Sequence, residues 1–128
     1  MRCLLAAIAI VAIPAMPLSV IAADACFTPL SKEEIVAQAV FTCLCLIDWS
    51  QTIEIAQHPE SNNESNPILG HHPSIRRVNA LIPLGIASHA LITWSMPKEW
   101  RKWWQYTWIG IELQAVHVNW RSGISIPF

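Results

Sequence analysis

The sequence predicts an all-α protein, a small transmembrane helical bundle, and three observations support this. The chain has 128 residues, of which 53% are hydrophobic and 13% charged, and that charged fraction is about half the roughly 25% usual in soluble domains. Three segments with helical start and stop signals follow one another after an apolar N-terminal run. Tryptophan and basic residues cluster near the expected helix ends, where aromatic and cationic side chains anchor spanning helices.

Residues 1–25 have the pattern of a signal peptide. Arg2 supplies a positive charge, residues 3–13 form an unbroken apolar run, and residues 23–25 (Ala-Asp-Ala) offer a small-x-small cleavage site. The apolar run is short for a membrane helix, which needs about 20 residues. We therefore predict one helical membrane domain over residues 26–128 with three helices, or four if the first segment is retained.

The first helix of this domain is predicted over residues 32–56. Ser31 and Glu34 form the capping-box pattern, in which each side chain accepts a hydrogen bond from the other residue's backbone N–H. At 1.5 Å per residue, the apolar part from 35 to 56 spans about 33 Å, enough for the hydrocarbon core of a bilayer.

A polar loop is predicted over residues 57–74, followed by helices over 75–96 and 98–121. Pro83 lies inside the second helix, a position that membrane helices tolerate when neighbours satisfy the freed carbonyl. Pro97 separates the second helix from the third. The connection is so short that we expect these two helices to be antiparallel neighbours.

The aromatic and basic residues predict two membrane interfaces. One belt combines four tryptophans with three cations: Trp94, Trp100, Trp103, Trp104, Lys98, Arg101 and Lys102. The opposite belt contains Trp120 beside Arg121. Positive charges balance between the two sides, so the charge pattern leaves the orientation in the membrane open.

A carboxylate lies inside the first apolar segment. Asp48 shares one helix face with Gln51 and Thr52, three and four residues later. A charged side chain in hydrocarbon costs several kcal/mol unless it is neutralised, paired or hydrated, so an intramembrane Asp marks a possible functional site. The alternative is that these side chains only form interhelical polar contacts.

The third helix carries a matching polar stripe of Gln105, Glu112 and Asn119, which recur every seven residues. We expect this stripe to face the first helix. Counting residues from the helix starts places Glu112 within roughly 3 Å of the depth of Asp48. Two carboxylates at one depth would share a proton or a cation.

The loop and the histidines offer weaker candidates. Glu64 and Asn66 precede or flank a turn at Pro67, so they either organise the loop backbone or act directly with Asp48. His89, His71 and His72 are the weak candidates for metal ligands, since no H-x-x-x-H or H-E-x-x-H spacing is present. No cofactor is predicted.

The motif D-W-x-Q-T at residues 48–52, followed by E-x-N-P-I-L-G-x-H-P-S at 64–74, resembles small membrane proteins encoded in phage and prophage regions. The shorter core, D-x-x-x-T plus E-x-N-P, is similar to a broader bacterial family of small membrane proteins. The resemblance covers roughly residues 45–122. It implies a class and an architecture but no activity.

Composition and motif together indicate a non-enzymatic protein of the bacterial inner membrane that acts by assembly. Its expected partners are the lipid bilayer and either a second copy or another membrane protein. The net charge of −1 and the lack of a basic tract give no indication of nucleic-acid binding. Two alternatives stay open: a holin-like pore former, and a membrane protein whose internal carboxylates handle protons or a metal ion.

Overall fold

A computed structural model describes residues 27–62, 64, 66 and 68–124 of the protein. These residues form three α-helices and no β-strand: α1 (Lys32–Gln57), α2 (Ile75–Ser95) and α3 (Lys98–Arg121). The all-helical prediction is confirmed, and the observed helix ends lie within one residue of the predicted ones. The predicted signal segment, 1–25, lies outside the described residues, so its cleavage stays a prediction.

The start of α1 is fixed by the capping box that the sequence predicted. Ser31 Oγ accepts a hydrogen bond from the backbone N–H of Glu34 at 3.2 Å, and Glu34 Oε2 accepts one from the backbone N–H of Ser31 at 2.7 Å. These contacts satisfy backbone donors that have no partner within the helix. Glu34 is buried, so the capped end of α1 is also part of the packed interior.

Helix α1 is the central element of the bundle. It packs most extensively against α3 and less extensively against α2, whereas α2 and α3 contact each other least. Met96 and Pro97 alone connect α2 to α3. The sequence predicted that α2 and α3 are antiparallel neighbours; they do contact each other, but α1 provides most of the surface that holds each of them.

Helices α1 and α3 run in the same direction with a constant register. Gln105 Nε2 donates to the backbone oxygen of Glu34 at 2.8 Å, and fourteen residues further along both helices Asn119 Nδ2 donates to Asp48 Oδ1 at 3.1 Å. Each pair is separated by 71 residues in sequence. The predicted polar stripe on α3 therefore lies against α1 at both ends.

A stack of three rings joins the three helices. His89 of α2 lies between Phe41 of α1, with ring centroids 3.9 Å apart, and Trp104 of α3, with centroids 5.5 Å apart. The interplanar angles are 26° and 18°, so the rings are close to parallel. This stack bridges α2 and α3 and fixes both against the middle of α1.

Helices α1 and α2 are long and apolar enough to cross a membrane, but α3 is not. Only 28% and 17% of the apolar segments of α1 and α2 are buried within the bundle, whereas a core helix of a soluble protein is mostly covered. The third spanning helix that the sequence predicted is too polar by this criterion, because α3 carries the stripe of Gln105, Glu112 and Asn119.

Candidate functional site

A cavity of about 270 Å³ lies where the three helices and the loop meet. Helix α1 contributes Phe41, Cys45 and Asp48, α3 contributes Trp104, Trp108 and Glu112, and the loop contributes Asn66, Ile68 and Leu69. Helix α2 provides the remaining wall: Leu81, Ile82, Gly85, Ile86, Ser88, His89 and Ile92. Both intramembrane carboxylates predicted from the sequence therefore line one cavity.

The two carboxylates lie at different depths in the bundle. The register of α1 and α3 places Asp48 beside Asn119, and Phe41 at the level of Glu112. Glu112 and Asn119 are two turns apart on α3, which displaces the backbone of Glu112 from that of Asp48 by about 10 Å along the bundle, while the two carboxylates stay within electrostatic range of each other. The prediction of equal depth is wrong, because it assumed that α1 and α3 start at the same level, whereas α3 begins more than one turn earlier.

The Asp48 carboxylate belongs to a small hydrogen-bonded group between α1 and α3. Asn119 Nδ2 donates to Asp48 Oδ1 at 3.1 Å and to Gln51 Oε1 at 3.4 Å, and Gln51 Nε2 in turn donates to the backbone oxygen of Ile124 at 3.4 Å. Gln51 and Thr52 are fully buried. The predicted polar face of α1 and the last residue of the α3 stripe thus come together.

Glu64 and Asn66 organise the loop and also lie next to the site. Glu64 Oε1 accepts from the backbone N–H of Asn66 at 2.7 Å, and Asn66 Oδ1 accepts from the backbone N–H of Ile68 at 3.0 Å. Asn66 lines the cavity, and Glu64, which is buried, lies within electrostatic range of Asp48. The two roles considered for this motif are therefore compatible.

One ring nitrogen of His89, Nε2, is a hydrogen-bond acceptor inside the bundle. Its Nδ1 lies 2.9 Å from Gln38 Oε1, and because an amide oxygen only accepts hydrogen bonds, Nδ1 carries the proton and Nε2 is the acceptor. His89 is 4% exposed, and Nε2 has no partner among the described residues. Since His89 also lines the cavity, this acceptor is available to a bound molecule.

The other two histidines that the sequence singled out are elsewhere. His71 and His72 are exposed in the loop and are not among the residues that line the cavity. Within the part of the chain that the structure describes, no three His, Cys, Asp or Glu side chains are grouped closely enough to hold a metal ion.

Arg101 is a buried polar residue outside the cavity whose role the sequence interpretation missed. It was expected among the interface anchors, but its side chain is fully buried. The guanidinium donates to the backbone oxygens of Met96 and Trp94 at 2.8 and 3.0 Å and forms an ion pair with Glu34 at 3.7 Å. Arg101 lies one turn before Gln105, so extending the polar stripe by one turn would have found it.

Trp104 and Trp108 also belong to the cavity rather than to a lipid-facing belt. Their rings meet edge to face with centroids 5.4 Å apart, and both line the cavity. The indole Nε1 atoms of both are buried and have no hydrogen-bond partner among the described residues. A buried indole N–H usually has a partner, so these two donors are unsatisfied polar atoms of the residues that line the cavity.

Comparison with known proteins finds no family model, no curated protein and no solved structure that this chain matches.

Proposed function

We propose that this chain is a small, non-enzymatic integral protein of the bacterial inner membrane, of phage or prophage origin, that acts by assembling with a second copy of itself. Two helices that are apolar and largely uncovered support the membrane location. The motif over residues 48–74 supports the phage-type origin, and the pattern of residues 1–25 supports cleavage of a signal peptide.

The observation that carries the assembly proposal is the outward face of α3. Six exposed residues recur at alternating spacings of three and four, and we refer to them as the outer row: Trp103, Tyr106, Gly110, Leu113, His117 and Trp120. This spacing is the heptad pattern of helices that pack against one another. Gln114 is exposed beside the row.

Lipid cannot satisfy the polar groups of this face. Gln114 and His117 lie toward the end of α3 without cover from the bundle, and polar side chains in the membrane pair across helix interfaces. Gly110 lies one turn before Gln114, and a Cβ atom built there would meet nothing within 4 Å. The bundle itself does not need a glycine at this position, whereas a closely packed second helix does.

The chemistry of the outer row fits another copy of the same helix. Copies that insert in the same orientation present parallel α3 helices, so a two-fold axis brings each residue next to its counterpart. The Gln114 amide both donates and accepts hydrogen bonds, which makes it complementary to itself. The same holds for a neutral His117 ring, with one donor and one acceptor nitrogen.

Substitutions in the outer row test this proposal. Gly110→Leu should block close approach, and Gln114→Leu should remove a hydrogen bond worth about 0.6–2 kcal/mol, which is a roughly 3- to 30-fold weaker dimer. Ala87→Leu is the matched control, because Ala87 is a small, exposed residue of α2 and does not line the cavity. The measurement is the dimer fraction in lipid nanodiscs or mild detergent, by cross-linking and native mass spectrometry. A monomeric wild type, or equal effects of all three variants, would rule out the proposal.

A second candidate function is the handling of a proton or cation by the internal carboxylates, which the cavity lined by Asp48 and Glu112 favours. A holin-like pore former is a third candidate on size alone. The hydrogen bonds that fix the register of α1 and α3 argue against this third function, because a protein that only breaks the membrane does not need them. Induced expression without an endolysin separates these functions, since a pore former would abruptly collapse the membrane potential.

A further inference from the structure

We propose that the cavity between the helices binds a small primary ammonium compound that also carries an oxygen acceptor, such as an amino alcohol. This inference rests on the second candidate function, the internal carboxylate site, and is independent of assembly through α3. Four kinds of group around the cavity carry it: the carboxylates, the aromatic rings, the His89 acceptor and the indole donors.

The charge of the cavity wall selects a cation. Asp48 and Glu112 are its two ionisable acids, and no lysine or arginine is among the described residues that line it. Glu64 adds a further negative charge within electrostatic range of Asp48. The buried guanidinium of Arg101 is paired with Glu34 instead, so it does not neutralise the cavity.

The spacing of the acids indicates a polyatomic cation rather than a metal ion. The register of α1 and α3 places the backbone of Glu112 about 10 Å from the level of Asp48 along the bundle, so the two acids enter the cavity from different levels. The described residues also provide no cluster of three ligating side chains. An organic molecule can reach from one acid toward the other groups, and the volume of about 270 Å³ is close to the lower end of known ligand pockets.

The aromatic residues and His89 suit an ammonium group. Phe41, Trp104 and Trp108 line the cavity, and aromatic faces attract organic cations more strongly than they attract hydrated metal ions. His89 Nε2 is a buried acceptor that has no partner among the described residues. An ammonium N–H can donate a hydrogen bond to it.

The indole groups suit the other end of the ligand. Trp104 and Trp108 carry buried Nε1–H donors without partners. An oxygen atom on the ligand would accept from either of them. A simple alkylamine leaves both donors unsatisfied, whereas an amino alcohol offers both an ammonium and an oxygen.

Ethanolamine is the probe for this site, and ethylene glycol is its uncharged counterpart of similar size. The full chain is reconstituted in phosphatidylcholine nanodiscs, and tryptophan fluorescence is followed at constant ionic strength. We expect a saturable change with ethanolamine and none with ethylene glycol. An absence of saturation with ethanolamine, an equal response to ethylene glycol, or saturable binding of Mg²⁺ or Zn²⁺ in its place would overturn the proposal.

Charge-removing variants assign the signal to the cavity. Asp48→Asn and Glu112→Gln keep the shapes of the side chains, and the variant that removes the charged partner of the ammonium should weaken ethanolamine binding at least about tenfold. Glu99→Gln, an exposed position at the start of α3, is the matched control and should bind as the wild type does. Unchanged affinity in both cavity variants would overturn the proposal. The dimer fraction is measured in the same samples, so failure of ligand binding and failure of assembly are distinguished.

The primary ammonium could come from a free metabolite or from the headgroup of a lipid. Nanodiscs that contain phosphatidylethanolamine distinguish these sources. If the lipid competes with added ethanolamine and raises its apparent Kd, the headgroup is the source. If the Kd is the same in both membranes, the site takes the free amine. Either result supports the proposal that the cavity binds a primary ammonium group.

Discussion

Asn119 holds the Asp48 carboxylate from the opposite helix, with its Nδ2 atom 3.1 Å from Asp48 Oδ1. The same amide group also donates to Gln51 at 3.4 Å. One side chain of α3 therefore contacts two residues of the polar face of α1. This relationship fixes how far α3 is displaced along α1, and it gives the Asp48 carboxylate a defined hydrogen-bond donor.

Substitution of Asp48 separates its role as an acceptor from its charge. Asp48→Asn keeps an oxygen that can accept from Asn119, so we expect normal membrane insertion and a free energy of unfolding within about 1 kcal/mol of the wild type. Asp48→Leu leaves the Asn119 amide without this acceptor and should destabilise the protein by about 1–3 kcal/mol. Equilibrium unfolding in mixed detergent micelles measures both. Loss of the protein on Asp48→Asn alone would instead indicate that folding itself depends on the charge of this carboxylate.

Cross-linking tests the register of α1 and α3. The background is a chain in which the four native cysteines are replaced. Cysteines at positions 48 and 119 should be joined by a short thiol reagent, because the native side chains at these positions are in hydrogen-bond contact. Cysteines at 48 and 112 should require a reagent that spans about 10 Å. Efficient short-range linking of 48 to 112 would show that the helices are offset differently.

Arg101 and its neighbour Lys102 offer a matched pair of substitutions. Arg101→Leu removes a fully buried cation and leaves buried Glu34 without its ion-pair partner, which should cost about 3–5 kcal/mol in stability. Lys102 is exposed and its Nζ atom lies 2.5 Å from Glu33 Oε2, so Lys102→Leu should change stability little, since exposed ion pairs contribute little. Thermal unfolding in detergent compares the two variants. Similar losses in both would contradict the buried role of Arg101.

Intact-mass measurement tests the processing of the N-terminal segment. We expect the membrane-extracted protein to begin near Asp24 or Cys26, because the apolar run before Pro14 is short for a membrane helix. A mass that includes residues 1–23 would show that the segment is retained. The bundle in the membrane would then contain a fourth helix.

The sequence was most informative where local rules decide the structure. Ser31 and Glu34 specify the start of α1 through their own backbone contacts, and Pro97 separates α2 from α3, so the helix boundaries follow from short-range chemistry. The seven-residue repeat of Gln105, Glu112 and Asn119 likewise identified the face of α3 that lies against α1. These features depend on residues at most two helical turns apart.

The relative displacement of the helices could not be predicted in the same way. Nothing local to α1 or α3 determines that Asp48 pairs with Asn119 rather than with Glu112, because the offset depends on contacts along the whole interface. The burial of Arg101 depends on the same offset, which brings it level with the buried N-terminal end of α1, where it meets Glu34. Arg101 is surrounded in the sequence by Lys102 and three tryptophans, a pattern typical of residues that anchor a helix at the membrane surface. The sequence therefore predicted an anchor rather than a buried ion-pair partner.

The two-residue connection between α2 and α3 affects how the protein is made. A segment as polar as α3 does not move by itself from a translocation channel into the lipid. In a membrane it therefore enters together with α2, as a helical hairpin. Two acceptors for the Arg101 guanidinium, the backbone oxygens of Trp94 and Met96, already belong to that hairpin. These contacts hold the cation within the hairpin without help from α1, so we expect an isolated α2–α3 hairpin to tolerate Arg101 better than α3 alone would.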